Sequence, residues 1–347
     1  ACKEKFAKKN SRMNFSASFT DGMVMLSWQS RILEIIFLYK HLKAKDGPIN
    51  VAKERKNLEQ LGKQFPAMYS AQYQSINVKN IRCEWIIPKD VSHDKILLYL
   101  HGGGYSFGSI DSHRGLATNI AHISHAKTLL IDYRLAPEHP YPAALDDAIT
   151  MYHWLLEHHD AKNIFVGGDS AGGGLTLALL LALRDKKVSL PAGAVCLSPW
   201  TDLTCSNPSF EKNLRKDLLV LPQAIKHCAS LYYGSQNPMN PLMSPLYGDL
   251  KGLPPLLIQV GCDEMLLDDS LLFAQKAKEA GVKVEIEVWD RMQHVWQFGA
   301  KYLPEGQKAI NRIGSFINGN YTPSKHSILE TIFRNVLERK FKFSSSL

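Results

Sequence analysis

The chain has 347 residues, 45% of them hydrophobic, and a formal net charge of +8. Ordinary glycine and aromatic content excludes a disordered or fibrous chain, and the length suits one large α/β domain with an appendage. The charge is terminal: residues 1–12 carry +4 and residues 321–347 carry +3, leaving about +1 for the body, which excludes a basic face of the kind that binds nucleic acid.

Residues 1–70 read as an N-terminal helical segment, interrupted at Gly47-Pro48. Its first dozen residues are polar and charged, unlike a secretory signal. Met23 to Tyr39 is apolar but contains Gln29, Arg31 and Glu34, so an amphipathic helix is expected rather than a membrane span. Ile32, Ile35, Ile36, Tyr39 and Leu42 recur at helical spacing and are expected on a packing face. From Ser75 the period changes. Ile76 to Val78 and Ile81 to Pro88 alternate as half-buried edge strands do, while Lys95 to Leu100 is a continuous apolar run suited to a central parallel strand.

That run ends in His101-Gly102-Gly103-Gly104-Tyr105. Three glycines after a buried strand leave backbone N–H groups uncovered, as a loop that stabilises an oxyanion requires. No G-x-x-x-x-G-K-[ST] or G-x-G-x-x-G pattern is present, which argues against a nucleotide. His101 is expected to brace the loop. Leu116 to His125 reads as a helix, Thr128 to Asp132 as a strand, and Pro142 to His158 as a helix with proline in its first turn. Ile164 to Val166 is a short strand running into Gly168-Asp169-Ser170-Ala171-Gly172, and an apolar helical run follows from Leu175. A serine in G-x-S-x-G between strand and helix is held on a strained turn, its hydroxyl exposed at the strand's carboxyl end.

Gly193 to Ser198 is the next strand. Helices and strands alternate from residue 95, which predicts a doubly wound, mostly parallel sheet with its site at the carboxyl strand ends. The alternation lapses at about residues 203–245, read as a cap insertion, with residues 210–233 expected to be helical. It resumes with the strand Pro255 to Gly261, the helix Ser270 to Gly281 and the outer strand Val282 to Trp289. The body is taken as residues 71–320. The tail, 321–347, is basic and amphipathic; docking on the body is expected, with a partner or an anionic membrane as the other readings.

A serine hydroxyl needs a base, and the base needs an acid to fix its tautomer. His294 follows the last strand and so emerges beside Ser170; His153, His158, His159 and His326 do not. Asp263 is the first carboxylate past the preceding strand, with Glu264, Asp268 and Asp269 further along. The expected triad is therefore Ser170, Asp263 and His294, in the chain order of G-x-S-x-G hydrolases. The N–H groups of Gly103, Gly104 and Ala171 are the expected oxyanion donors. Tyr105, Phe107, Trp200, Leu203 and Phe210 are expected to line the substrate cleft, because they flank the oxyanion loop or begin the insertion. Cys2, Cys83, Cys196, Cys205, Cys228 and Cys262 form neither C-x-x-C nor zinc spacing, so reduced thiols, no metal and a cytoplasmic location are expected.

Several separated motifs together resemble the hormone-sensitive-lipase-like esterases of the α/β-hydrolase fold. They are His101 to Gly104, Asp132-Tyr133-Arg134-Leu135-Ala136-Pro137-Glu138, Tyr141 to Asp147, Gly168 to Gly172, Ser198-Pro199-Trp200, Ser244-Pro245-Leu246, Gly252 to Pro255, and His294. The resemblance covers about Ile96 to Phe316. It implies hydrolysis of a small-molecule carboxylic ester through an acyl-enzyme without metal or cofactor, under a helical cap made by the N-terminal segment and the insertion. Many members read D-P-L-x-D-E where this chain reads Asp263-Glu264-Met265-Leu266-Leu267-Asp268, keeping an aspartate first. Plant hormone receptors similar to the family lack the catalytic histidine, which is present here, so a non-catalytic ligand receptor is the weaker reading; an amidase or acyltransferase using the same triad is the other alternative. Short to medium acyl chains are expected. Fold analogy suggests a homodimer paired through strand 282–289.

Overall fold

The computed structural model describes residues 27–32, 35, 38 and 49–319. The expected stripe residues Ile36, Tyr39 and Leu42, and the tail from residue 321, lie outside the described residues. Ile32 and Ile35, expected on a packing face, are exposed. No helix among the described residues is long and apolar enough to cross a membrane.

A single eight-stranded sheet organises the chain. Its strands are β1 (Ala71–Val78), β2 (Ile81–Pro88), β3 (Ser92–Leu100), β4 (Ala126–Asp132), β5 (Ile164–Asp169), β6 (Gly193–Leu197), β7 (Leu256–Gly261) and β8 (Val284–Trp289). They lie in the order β1-β2-β4-β3-β5-β6-β7-β8, with β8 at one edge. β1 pairs antiparallel with β2, and β2 antiparallel with β4; all later pairs are parallel. The β1–β2 hairpin closes on Lys79-Asn80, both at positive φ (50° and 68°), the backbone a two-residue hairpin turn demands. β2 is not the half-buried edge strand expected. It lies between β1 and β4, and even its Glu84 is buried, against Arg114 at 2.6 Å.

Among the described residues after position 50, the α-helices are α1 (Val51–Gln64), α2 (Ile110–Ser124), α3 (Ala143–Leu156), α4 (Ala171–Asp185), α5 (Pro208–Lys212), α6 (Pro222–Tyr233), α7 (Leu267–Glu279) and α8 (Pro304–Ile317). Side-chain alternation divides the core between two layers. Leu97 and Tyr99 of β3 pack with Ile120 of α2 and Ile313 of α8. Ile96, Leu98 and Leu100 point to the opposite face, towards Leu155 of α3 and Leu179 of α4. Period-2 alternation on a sheet covered on both faces gives an unbroken apolar run, which is how β3 reads. α2 starts six residues before the expected Leu116, because Ser109 and Ser112 form a reciprocal capping box. The expected helix 210–233 is two, α5 and α6, separated by an irregular stretch that Asp217 and Asn213 tie into the body.

The family motif around β4 proves to be scaffolding. Asp132 accepts the N–H of Ile110 at the start of α2 (2.6 Å), and the Tyr133 hydroxyl donates to the carbonyl of His101 (2.6 Å). Arg134 and the carboxylate of Asp147 fix the loop to α3. Glu138 takes two bonds from Arg55 of α1. His101 braces the loop as expected: it is fully buried, stacked on the Tyr133 ring at 4.2 Å, and burial lowers its pKa to about 3.

Candidate active site

Ser170 sits between β5 and α4 with φ 53° and ψ −120°, a conformation non-glycine residues avoid. Neighbouring strands hold it there. Its N–H donates to the carbonyl of Leu197 (2.8 Å), and its carbonyl accepts from Trp200 (3.0 Å) and from Gly174 in the first turn of α4 (3.0 Å). Gly172 makes this turn possible, since a Cβ there would strike the backbone carbonyls of Leu100 and His101.

The loop after β3 faces the serine. Asp169, preceding it, is buried and anchors the loop. Its Oδ1 accepts the Tyr99 hydroxyl (2.9 Å) and the Gly102 N–H (3.2 Å), and its Oδ2 lies 3.3 Å from His113 Nε2. Burial alone would raise the Asp169 pKa, but the charge of His113 and the bonds from His113 and Tyr99 hold it below the ordinary carboxylate value. Gly103 then turns at φ 112° and accepts the N–H of Phe107 (2.8 Å). Gly103 and Gly104 line the same cavity as Ser170.

His294 Nε2 is 2.9 Å from Ser170 Oγ. Its Nδ1 is 2.8 Å from Oε2 of Glu264, not from Asp263. A hydrogen on Nδ1 donated to the carboxylate leaves the Nε2 lone pair free to accept the serine proton. Glu264 is fully buried, and its other oxygen accepts the N–H of Gly261 (2.6 Å) and the hydroxyl of Ser198 (2.7 Å). Burial opposes the charged form of His294. The hydrogen bond and charge of Glu264, with the charges of Asp217 and Asp169, outweigh it and raise its pKa above the usual 6.5.

The expected acid, Asp263, is thus corrected to Glu264, and the turn after β7 explains why. The carbonyl of Gly261 accepts the N–H of Glu264 (3.4 Å), so the fourth residue of the turn folds back over the strand end while the third faces outward. Asp263 lies 3.7 Å from Lys216, in the irregular stretch between α5 and α6, and 3.6 Å from the Cys262 sulfur. A signal was available in the sequence. Matching Leu266 and Asp268 to the L-x-D part of D-P-L-x-D-E places Glu264, not Asp263, at the acid position.

A cavity of about 620 Å³ opens beside Ser170 and His294. Phe107 and Trp200 line it, as expected. Tyr105, Leu203 and Phe210 do not; each is buried in the core. Tyr105 turns inward at φ 59° and stacks on Tyr232 with ring centroids 3.8 Å apart. Leu203, its N–H tied to Ser244 Oγ (2.8 Å), and Phe210, lying under Lys226, pack into the core. The cavity is lined as well by Leu58 and Leu61 of α1 and by Leu218, Leu219 and Val220 of the irregular stretch. The apolar run Leu218 to Leu221 ahead of Pro222 was the sequence signal for that wall.

Residues 97–298 match the model of a family described by its α/β-hydrolase fold. An acetyl-hydrolase of Streptomyces hygroscopicus is 43% identical over 243 residues, spanning 70% of this chain and 81% of the relative. An esterase of Acinetobacter venetianus is 37% identical, spanning 75% of this chain and 86% of its own length. Among solved structures, an esterase from the bacterial hormone-sensitive lipase family superposes with a TM-score of 0.81 at 42% identity, over 85% of this chain and 99% of that one.

Proposed function

This chain belongs to the α/β-hydrolase fold family and is a carboxylic ester hydrolase of the hormone-sensitive-lipase-like group, and on that premise we propose that it cleaves short- to medium-chain acyl esters through Ser170, His294 and Glu264. The observation that carries the triad is the continuous relay of 2.9 Å from Ser170 Oγ to His294 Nε2 and 2.8 Å from His294 Nδ1 to Glu264.

Ser170 Oγ attacks the ester carbonyl carbon as His294 Nε2 takes its proton. Glu264 stays ionised and stabilises the imidazolium that forms. The carbonyl oxygen becomes an oxyanion, for which the N–H groups of Gly103, Gly104 and Ala171 are the donors; one such donor contributes about 3 kcal/mol to the transition state. Collapse expels the alcohol, protonated by His294, and leaves Ser170 acylated. Water, deprotonated by His294, then attacks the acyl-enzyme, and collapse of the second tetrahedral intermediate releases the acid and restores the serine. The apolar walls at Leu58, Leu61, Leu219 and Val220 suit a hydrocarbon chain, and the acetyl-hydrolase among the relatives supports a short one.

Stopped-flow hydrolysis of p-nitrophenyl butyrate tests this reading. Wild type is expected to turn over, and Ser170→Ala and His294→Ala to lose on the order of 10⁶ in kcat. Mutants that retain wild-type turnover would overturn it. A chain-length series of aryl esters is expected to peak at short or medium acyl groups, and a maximum at palmitate or longer would overturn the size assignment.

A further inference from the structure

The Glu264–His294 pair is gripped by a segment outside the strand ends that carry it. Between α5 and α6, Asn213 Nδ2 donates to the carbonyls of Cys262 (3.0 Å) and Glu264 (2.8 Å). Four residues on, Asp217 Oδ2 accepts the N–H of Met265 (2.9 Å). The peptide unit following Glu264 is therefore held at both its carbonyl and its N–H. Asp217 Oδ1 accepts the N–H groups of Leu219 (3.1 Å) and Val220 (2.9 Å), the residues that wall the cavity. Gln293, beside His294, closes the set: its Oε1 accepts from Leu218 N–H (2.7 Å) and its Nε2 donates to the carbonyl of Lys216 (3.0 Å).

Asp217 is fully buried. Burial raises its pKa, with the nearby His294 and the N–H groups of Met265 and Val220 acting in the opposite direction. Three N–H donors aimed at its two oxygens are arranged for a carboxylate, and its charge acts on the histidine. Among the described residues no Lys or Arg forms an ion pair with it, and a buried anion held without one is costly, so its presence at this point calls for a task.

We propose that Asp217 is a positioning residue for catalysis: it fixes the loop that aims Glu264 at His294 and adds a second negative charge that favours the imidazolium. The inference rests on the Ser170–His294–Glu264 reading. It makes the cap segment a strut of the base as well as a cover for the cavity. The charged groups around His294 are Glu264 from the loop after β7, Asp217 from the cap segment and Asp169 from the serine turn, with Lys216 beside Asp263 and Arg291 on the cavity wall.

The test is kcat and KM for p-nitrophenyl butyrate from pH 5 to pH 9 in the full chain, with thermal midpoints, for Asp217→Asn, Asn213→Ala and Glu264→Gln. Asp217→Asn is expected to lower kcat about tenfold with a smaller change in KM, and to move the acid limb of kcat/KM down by about one pH unit. Asn213→Ala leaves the charge in place and is expected to lower kcat without moving the limb. An unmoved limb in Asp217→Asn would overturn the proposal, whether kcat stays at the wild-type value or falls together with the thermal midpoint. If Asp217→Asn does not fold, Asn213→Ala decides: reduced kcat at wild-type KM supports the strut, and wild-type kcat removes it. Glu264→Gln separates the two readings. Wild-type kinetics in that variant would defeat the triad itself, whereas an impaired Glu264→Gln beside wild-type behaviour in the other two would defeat only the role of Asp217.

Discussion

The two halves of the site are held by different kinds of contact. Ser170 and the loop at Gly102 to Gly104 are set by main-chain geometry: β3 is paired with β5, and the N–H of Gly102 is held by Asp169, the residue before Ser170, across 67 positions. Glu264 and His294 are set by side chains of several segments: Ser198 on Glu264 across 66 positions, and Asn213 on its peptide across 51. The first half is written in short glycine-rich stretches whose backbone geometry leaves few alternatives. The second is assembled from side chains that meet only after the sheet has formed. Breaking each half should therefore fail differently, the first by losing the fold of the turn and the second by losing the tuning of the base.

The largest effect is expected in the first half. Gly172→Ala puts a Cβ onto the carbonyls of Leu100 and His101, backbone atoms of a central strand that cannot retreat. The cost should exceed about 4 kcal/mol, in the range reserved for backbone conflicts in a core. The expected outcome is aggregation on expression, or a thermal midpoint lowered by more than about 8 °C with no esterase activity. A folded, active Gly172→Ala would show the serine turn to be more tolerant than its geometry states.

The second half should fail by degree. Glu264→Gln is expected to fold and to lose about 10²–10⁴ in kcat, because an amide no longer fixes the tautomer or balances the imidazolium. Asp263→Asn, on the outward side of the same turn, is expected to stay within about twofold of wild type. His294 must be neutral to take the serine proton, and its raised pKa places the acid limb of wild-type kcat/KM above pH 6.5, with activity falling as pH drops through it. Removing the Glu264 carboxylate removes the main interaction raising that pKa, so the limb should move to lower pH. Full activity in Glu264→Gln beside inactivity in Asp263→Asn would reverse the assignment of the acid.

The same division explains what could be read from residues alone. The succession of strands and helices along the chain, the serine turn, the glycine loop and His294 were legible because period and glycine placement are local signals. The choice between Asp263 and Glu264 was not settled by proximity to the strand end. It turns on which side of a four-residue turn each side chain leaves, and on a hydroxyl at Ser198 that is near only in the folded chain. The cavity wall was misread for a related reason. Tyr105 flanks the oxyanion loop in sequence, yet its backbone at φ 59° turns the ring into the core, while Leu219 and Val220, nearly fifty residues past Ser170, reach the cavity.

The smallest expected effect lies where the N-terminal segment meets the first half. Arg55 of α1 donates to Glu138 (2.7 Å), to the carbonyl of Ser106 in the loop carrying Gly103 and Gly104 (2.9 Å), and to the carbonyl of Ala136 (3.1 Å). It is the polar fastening of a helix whose Leu58 and Leu61 form one cavity wall. The Arg55 and Glu138 side chains are 30% and 54% exposed, so solvent screens the ion pair and Arg55→Ala should cost only about 1 kcal/mol in all. Catalysis is untouched by this contact, so kcat should hold while KM for p-nitrophenyl butyrate rises about two- to fivefold, through looser packing of the wall. The hydrogen bond from Arg55 depresses the Glu138 pKa from 4.5 to about 2. A depressed acid pKa gives stability that is complete above the unfolded value and is lost as pH falls through the folded one. The difference in thermal midpoint between wild type and Arg55→Ala should therefore be constant near neutrality and shrink between about pH 4.5 and pH 2. A fall in kcat at constant KM would instead mean that α1 sets the oxyanion loop itself, and the two halves of the site would then share the same dependence on the segments that cover them.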